Sequence, residues 1–344
     1  MTGMKRLRHA GLRSTSLLSL VVLTDVTRSA RTPDENQTIS DVLILVGFSY
    51  LNKLQILLFL LLLVIYLATL MWNLLVILLI KLNPSLHTPM YFFLVNLSFL
   101  DICFTTSMVP QLLVHLLVEE KTISIVGCAA QMCVITTMGM TECCLLAVMA
   151  YDRYVAIRHP LHYTTIMSSR VSALLAGASW FISISVEIAQ TTWTFSLPFC
   201  GSNRIHHFFC NFPPVLEMAC ADTSKNVVVG LTVTVVFILG PFLLIVLSYV
   251  HIVSTILKLP SAEGRSKVFS TCSSHLMVVT LLYGTAIITF LMPKSSASLE
   301  SYQVISLLNT IVAPMLNPII YTLRNKEVKG ALRRAVEKSL FHTA

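Results

Sequence analysis

The sequence predicts an all-α membrane protein: a bundle of seven transmembrane helices followed by a short amphipathic C-terminal helix. Its 344 residues are 55% hydrophobic and only 12% charged, with a mean hydropathy of +0.79. A soluble domain carries about 25% charged residues, so this chain cannot cover an ordinary water-facing surface. Together with the long apolar stretches described next, this composition excludes a cytosolic enzyme, a nucleic-acid-binding protein and a disordered tail protein.

The first predicted span, Leu54–Ile80, has 27 residues, more than the roughly 20 that a spanning helix needs. The third and fourth spans contain the acidic residues Glu142 and Glu187. The spans make residues 54–321 one seven-helix domain, preceded by the segment 32–53 and followed by the tail 322–344. Polar breaks separate the six later stretches, which are 89–117, 127–157, 171–193, 227–257, 267–292 and 302–321.

Loop charge predicts the orientation of the bundle. The loops that follow spans 1, 3 and 5, together with the tail, carry a net charge of +9, whereas the opposite side, counted from Thr32, carries −3. Cytoplasmic loops are the ones enriched in Lys and Arg, so we expect the N-terminus outside the cell. The tail segment Asn325–Leu340 is typical of an amphipathic helix lying on anionic membrane lipid.

Residues 1–31 form an atypical N-terminal extension with six basic residues and one acid. A basic start, the short apolar run Leu17–Leu23 and a small-residue pair at Ser29–Ala30 resemble a weak signal peptide. A dispensable extension is the alternative interpretation, and the sequence leaves both open. Asn36 begins a glycosylation sequon on the predicted outside.

Seven spans fit transporters and channels as well as receptors, and motifs distinguish among these classes. This set of motifs, in this order, resembles the vertebrate olfactory receptors, a family of rhodopsin-like G-protein-coupled receptors, and within that family the tetrapod-type class. The resemblance covers about residues 36–334. The motifs are His87–Leu94, Leu97–Asp101, Met149–Ile157, Ser248–Tyr249, Lys267–His275 and Pro314–Tyr321.

Four cysteines are candidates for disulfides on the outer face. Cys128 lies 25 residues before Arg153, about 38 Å of helix, which places these residues at opposite membrane rims. Its possible partners are Cys200, Cys210 and Cys220, and the sequence alone allows three connectivities. The resemblance implies the pairs Cys128–Cys210 and Cys200–Cys220.

The inner rim carries the charged motif Asp152-Arg153-Tyr154. One interpretation is simple positive-inside anchoring of the helix. The resemblance instead implies a switch in which Arg153 is held by local partners and released to engage a G protein. Pro318 frees a backbone carbonyl in its helix, which we expect Asn317 to re-satisfy. The complete switch set is Asp152, Arg153, Tyr154, Tyr249, Asn317, Pro318 and Tyr321.

Two residues depart from the family pattern. Arg158 stands where the family usually has Cys, which adds a charge to the loop facing the G protein and bears on coupling strength. Trp72 replaces a usual Gly, and its bulk is predicted to disturb the packing of the first span.

Two acids and two amides, Asp101, Glu142, Asn73 and Asn317, lie at comparable depth within the spans. Intramembrane carboxyl groups are costly and normally functional, and hard oxygen ligands suit a small cation. The resemblance implies a sodium site at these residues; a protonated, purely structural network is the alternative. No other cofactor is expected.

The resemblance implies a ligand pocket in the outer half of the bundle. Apolar side chains with a few hydroxyls suit small, weakly polar volatiles, although each residue alone is more typical of ordinary helix packing. Ile135 stands where amine receptors carry an acid, which argues against a cationic amine. The pocket residues are Thr136, Met140, Phe237, Tyr283, Ala286, Ile287 and Thr310.

The resemblance therefore implies an odorant receptor at the plasma membrane that activates a stimulatory olfactory-type heterotrimeric G protein and raises cAMP. A metal site at His206–His207 is disfavoured because Asn211 replaces the acid usual in the family, and neither a phosphate-binding loop nor a nucleophile–base pair indicates an enzyme. A transporter would need internal repeats, which are not seen. A receptor-like protein that does not signal remains an alternative.

Overall fold

The computed structural model describes residues 42–48, 54–200, 202–258, 261–291, 303–324 and 328–334. The predictions for residues 1–31, for Asn36 and for the end of the tail lie outside these residues.

Seven long helices form the bundle, and their bounds lie within a few residues of the predicted spans. Side-chain caps explain two of the helix starts: Ser124 Oγ accepts a hydrogen bond from the backbone of Gly127, and Ser168 Oγ accepts one from Val171. The helices are α1 (Gln55–Leu82), α2 (Pro89–Leu117), α3 (Ile125–Arg158), α4 (Ser169–Phe195), α5 (Ser224–Ile256), α6 (Ala262–Leu291) and α7, which starts at Gln303 and ends in the regular helix Ala313–Arg324.

Length and apolarity allow six of the described helices to cross a membrane, and α6 contributes a shorter apolar segment, Cys272–Ile288. Helix α3 lies at the centre of the bundle, where it packs against α2, α4, α5 and α6. The predicted seven-helix membrane fold is therefore confirmed.

Within the described residues, α5 and α7 each contain a π-helical turn that the sequence pattern does not predict. One is Val235–Leu239 in α5 and the other is Leu308–Val312 in α7. A π turn adds a residue to the helical repeat, and such turns occur frequently at functional sites. Phe237 and Thr310, both predicted pocket residues, lie in these two turns.

A small sheet covers part of the outer face. Its central strand β1 (Val42–Leu45) pairs antiparallel with β2 (Thr122–Ser124) and parallel with β3 (Arg204–Ile205). Lys121 Nζ donates to the carbonyl oxygen of Gly47 at 3.0 Å, and burial lowers the pKa of this lysine. The segment before α1 is thus attached to two outer loops.

Both disulfides implied by the resemblance are present. Cys128 at the start of α3 is bonded to Cys210, with a Cα–Cα distance of 5.4 Å, and Cys200 is bonded to Cys220 at 5.8 Å. The first bond fixes the long loop between α4 and α5 to the central helix. The second closes a short hairpin-like segment within that loop.

The described part of the tail contains a helix at 328–334. Val328 and Ala331 are buried against the bundle, whereas Lys329, Arg333 and Arg334 are exposed. This segment is amphipathic, as predicted for Asn325–Leu340, with its basic side chains on the outer side.

Candidate functional site

The centre of the bundle contains a cluster of two acids and one amide, which we call the core cluster: Asp101 of α2, Glu142 of α3 and Asn317 of α7. Asn317 Nδ2 lies 3.3 Å from Asp101 Oδ1 and 3.4 Å from Glu142 Oε1. All three side chains are buried. Two carboxyl groups therefore share one neutral donor, and such a pair requires a proton or a cation to limit its repulsion.

Asn73, predicted to join this cluster, has a different role. Its Nδ2 donates to the carbonyl oxygens of Thr69, at 3.0 Å, and Pro314, at 3.2 Å. Pro318 has no N–H, so the Pro314 carbonyl lacks its usual donor within the helix. The expectation that Asn317 would re-satisfy this carbonyl is wrong: Asn73 of α1 does so, because the Asn317 amide faces the two acids.

A chain of hydrogen bonds joins three helices near the cytoplasmic end, and we call it the inner hydrogen-bond chain. His275 Nε2 of α6 lies 3.0 Å from the carbonyl oxygen of Leu146 in α3, and His275 Nδ1 lies 2.9 Å from the hydroxyl of Tyr249 in α5. A carbonyl only accepts, so the neutral ring donates through Nε2 and accepts from Tyr249 through Nδ1. The chain holds α5 and α6 against α3.

The charge of Arg153 interacts electrostatically with the nearby side chains of Tyr249, His275 and Tyr321. Its neighbour Asp152 accepts a hydrogen bond of 2.8 Å from the Tyr163 hydroxyl in the following cytoplasmic loop. Burial and the nearby Asp152 raise the pKa of Tyr163, which stays a neutral donor. The structure thus brings the predicted switch residues of α3, α5 and α7 together.

The predicted pocket residues differ in their burial. Ile287 is 52% exposed, unlike the others. Tyr283 packs against Phe242 of α5 with ring centroids 4.9 Å apart, and its hydroxyl lies beside Cys143. Thr136 and Ala286 are partly buried, and the buried members are Met140, Phe237, Tyr283 and Thr310.

The loop between α4 and α5 packs an aromatic group over the outer end of the bundle. His207 is fully buried, stacks on Phe208 at 4.6 Å and meets Phe209 edge-on at 4.4 Å. Burial lowers the pKa of His207 to about 3, so its ring is neutral at physiological pH. Gln131 Oε1 accepts from the backbone of Cys210 at 2.9 Å, which fixes the loop to α3 beside the disulfide.

Comparison with known proteins decides the family. Residues 62–339 match the sequence family described as Olfactory receptor. Human Olfactory receptor 10A4 is 57% identical over 307 residues, covering 89% of this chain and 98% of that receptor. Human Olfactory receptor 10A2 is 54% identical, covering 84% of this chain and 95% of that receptor. The chain belongs to the olfactory receptor family.

An olfactory receptor is a G-protein-coupled receptor and not an enzyme, and it is a multi-pass protein of the plasma membrane. Family membership implies odorant ligands and coupling to a G protein in general terms. The identity of the odorant and of the G protein is a separate question.

Two residues that depart from the olfactory receptor pattern have defined positions. Arg158 Nη1 donates to Thr255 Oγ1 at 3.2 Å, which links the end of α3 to the end of α5. Trp72 is partly buried, and α1 continues unbroken across it. The predicted effect of Trp72 on the packing of the first span stays a prediction.

His275 lies at the end of the Lys267–His275 motif but was not among the predicted functional residues. The signal was present, since an ionisable residue within a membrane span is a candidate for function by default. The sequence could not predict its hydrogen-bond partner on α3, because Leu146 contributes only a backbone carbonyl.

Proposed function

We propose that this olfactory receptor binds a small volatile odorant in the outer half of the bundle. The bound receptor then activates a stimulatory olfactory-type G protein at the cytoplasmic face and raises cAMP. The observation that carries this proposal is the inner hydrogen-bond chain, which joins α3, α5 and α6 beside Arg153. A surface for a G protein opens only if these helices separate.

The mechanism follows from the position of this chain. An odorant that binds more tightly when α6 has moved shifts the population toward that state. Separation of α6 from α3 breaks the His275–Leu146 hydrogen bond and leaves Arg153 able to face the cytoplasm. Tyr249 and Tyr321 lie beside Arg153 and are placed to pair with it in the open state.

The pocket chemistry supports a weakly polar ligand. Tyr283 and Thr310 supply hydroxyl groups, and Met140 and Phe237 supply apolar surface from α3 and α5. Such a mixture suits weakly polar ligands, because they lose little free energy of hydration when they leave water. Tyr283 also lies near Glu142, which connects this region to the core cluster.

The core cluster fits a sodium ion. Asp101 and Glu142 provide carboxylate oxygens, the ligands that hard cations prefer, and both acids lie against the Asn317 side chain, whose Nδ2 donates to them. The ion would supply the positive charge that two adjacent acids need. The Asn73 amide nitrogen bonds to backbone carbonyls in α1 and α7, and its buried Oδ1 has no hydrogen-bond partner among the described residues.

The decisive experiment compares the native receptor with Arg153→Ala in cells that contain the olfactory G protein and export chaperones. A panel of volatiles is applied, cAMP is recorded and surface receptor is stained. We expect odorant-stimulated cAMP to be lost in the variant at equal surface expression. An unchanged response would overturn the proposal.

A second variant tests the inner hydrogen-bond chain directly. His275→Phe keeps the ring volume but removes both hydrogen bonds, so we expect basal cAMP to rise because α6 separates more easily from α3. Ser254→Ala is the matched control, since its hydroxyl bonds only within α5, to the His251 carbonyl. Equal basal cAMP in the two variants would contradict a restraining role for His275.

A further inference from the structure

Helix α4 contains a buried acid that belongs to none of the groups described above. Glu187 is 1% exposed, and its Oε1 accepts a hydrogen bond of 2.9 Å from Thr191 Oγ1 one turn later. Its Oε2 is buried and receives no hydrogen bond from the described residues. Such a group within a membrane is costly, and acids in spans commonly serve function.

The same face of α4 carries two further polar side chains, each with a buried oxygen that no described residue hydrogen-bonds. Ser183 and Gln190 lie four residues before and three residues after Glu187, so all three share one side of the helix. Ser183 Oγ and Gln190 Oε1 are buried and, among the residues that the structure describes, neither has a hydrogen-bond partner. Three oxygens capable of accepting hydrogen bonds thus lie along one face of α4.

This face of α4 packs against α3. The Cys133 thiol lies beside Glu187 and makes side-chain hydrogen bonds with Thr191 and Thr137. Cys133 precedes the predicted pocket residue Thr136 by one helical turn, so the two side chains are neighbours on α3. Glu187 therefore borders the region proposed for the odorant.

The depth of Glu187 agrees with this position. It lies eight residues before Phe195, the last residue of α4, or about 12 Å below the outer end of the helix. Cys133 is two residues from Ile135, which stands where an acid would be needed to bind an amine. An acid is thus present at this level of the bundle, but on α4 rather than on α3.

A purely structural role accounts for only part of this arrangement. The Thr191–Glu187 bond lies within one helix and uses one carboxyl oxygen, so it does not explain why the other oxygens are buried. No described cation acts on the charge of Glu187. Buried acceptors cost free energy unless a donor reaches them, and no described residue supplies one to these oxygens.

We propose that Glu187 and Gln190 recognise the hydrogen-bond-donating head group of an odorant, either a hydroxyl or a primary ammonium. The inference rests on the proposed odorant-receptor function and names the chemical class of its ligand. The donor hydrogens bond to Glu187 Oε2 and Gln190 Oε1, and the alkyl part lies along Thr136 and Met140. Aldehydes and esters carry no hydrogen-bond donor, so these two acceptor oxygens add nothing to their binding affinity.

The test uses ligands with one alkyl chain that ends in a primary alcohol, a primary amine, an aldehyde or a methyl ester. Glu187→Leu and Glu187→Gln are compared with the native receptor by cAMP dose–response and by thermal stabilisation of purified receptor. The control is Ser185→Ala on the same helix, because the Ser185 side chain is exposed and its hydroxyl bonds to the Phe181 carbonyl.

We expect Glu187→Leu to weaken the response to donor-bearing ligands by roughly 10-fold to 100-fold and to leave the aldehyde and ester nearly unchanged. Glu187→Gln distinguishes the two head groups: it keeps the alcohol response through its carbonyl oxygen but loses the amine response. Ser185→Ala should resemble the native receptor with every ligand.

An equal loss for all four ligands in Glu187→Leu, at normal surface staining, would overturn the inference. So would a native receptor that aldehydes or esters activate but that no alcohol or amine stabilises, and this result would leave the proposed function intact. Stabilisation by alcohol or amine that depends on Glu187, without any cAMP response, would support the inference and count against the proposed function.

Discussion

At the scale of single residues, each polar side chain inside the bundle has a role set by the backbone group or the acid to which it hydrogen-bonds. Asn73 and Asn317 are both buried amides near the same depth, yet their functions differ. Asn73 replaces the donor that Pro318 lacks, whereas Asn317 faces Asp101 and Glu142. The identity of the residue is the same, and the neighbouring helix decides its role.

Asn73→Ala is predicted to destabilise the receptor by about 1–3 kcal/mol, because it leaves the buried Pro314 carbonyl without a donor. The measurement is the thermal unfolding midpoint of purified receptor. Asn83→Ala is the control: its amide bonds to the Leu79 carbonyl at the end of the same helix, at 2.7 Å. A loss of stability that is no larger for Asn73→Ala than for Asn83→Ala would contradict the assigned role.

At the scale of elements, the segment before α1 is packed more closely than its length suggests. A Cβ atom on Gly47 would lie 2.9 Å from the Phe208 backbone nitrogen, so only glycine fits between β1 and the loop after α4. Phe48, the next residue, packs its ring 5.2 Å from that of Phe208. This close approach joins β1 to the aromatic group around His207.

Gly47→Val should separate β1 from the loop and destabilise the outer face by roughly 1–3 kcal/mol, the usual cost of overpacking. Surface staining and protease sensitivity of the intact receptor measure this effect. Gly177→Ala provides the comparison, since a Cβ atom there meets nothing within 4 Å and alanine favours the helix. Normal surface staining and unchanged protease resistance in Gly47→Val would refute the close-packing argument.

At the scale of the whole molecule, the disulfides and the polar clusters act at different levels of the membrane. The Cys128–Cys210 bond joins residues 82 apart in sequence and fixes the outer loop on α3. The core cluster joins α2, α3 and α7 at mid-depth, and the inner hydrogen-bond chain joins α3, α5 and α6 below it. Helix α3 takes part at every level, which suits transmission from an outer ligand to the inner face.

Replacing Cys128 and Cys210 together by serine is predicted to cost about 2–5 kcal/mol and to abolish most surface expression. Cys103→Ser is the matched control, because Cys103 is a free, partly buried cysteine within α2. Quantitative surface staining beside total receptor on a blot measures the difference. Equal surface fractions for the two variants would show that this disulfide is dispensable for folding.

Much of the fold follows from the sequence because a bilayer restricts what a chain can do. Backbone N–H and C=O groups in lipid must form their hydrogen bonds within the helix. A long apolar segment therefore predicts a membrane-spanning helix directly. Leu54–Ile80 as a predicted span and Gln55–Leu82 as a helix differ by a few residues at most. The sheet was missed because its strands have two to four residues, too few for an alternating pattern, and their pairing is non-local.

The sequence by itself determined the seven-helix class, the predicted orientation from loop charge, and the motifs that resemble the olfactory receptor family. Only the tertiary structure decided which buried group bonds to which: Asn73 to Pro314, His275 to Leu146, and Glu187 to no described donor beyond Thr191. The physical reason is that apolarity and charge are properties of each segment, whereas a hydrogen bond inside the bundle depends on the rotation and depth of two helices at once.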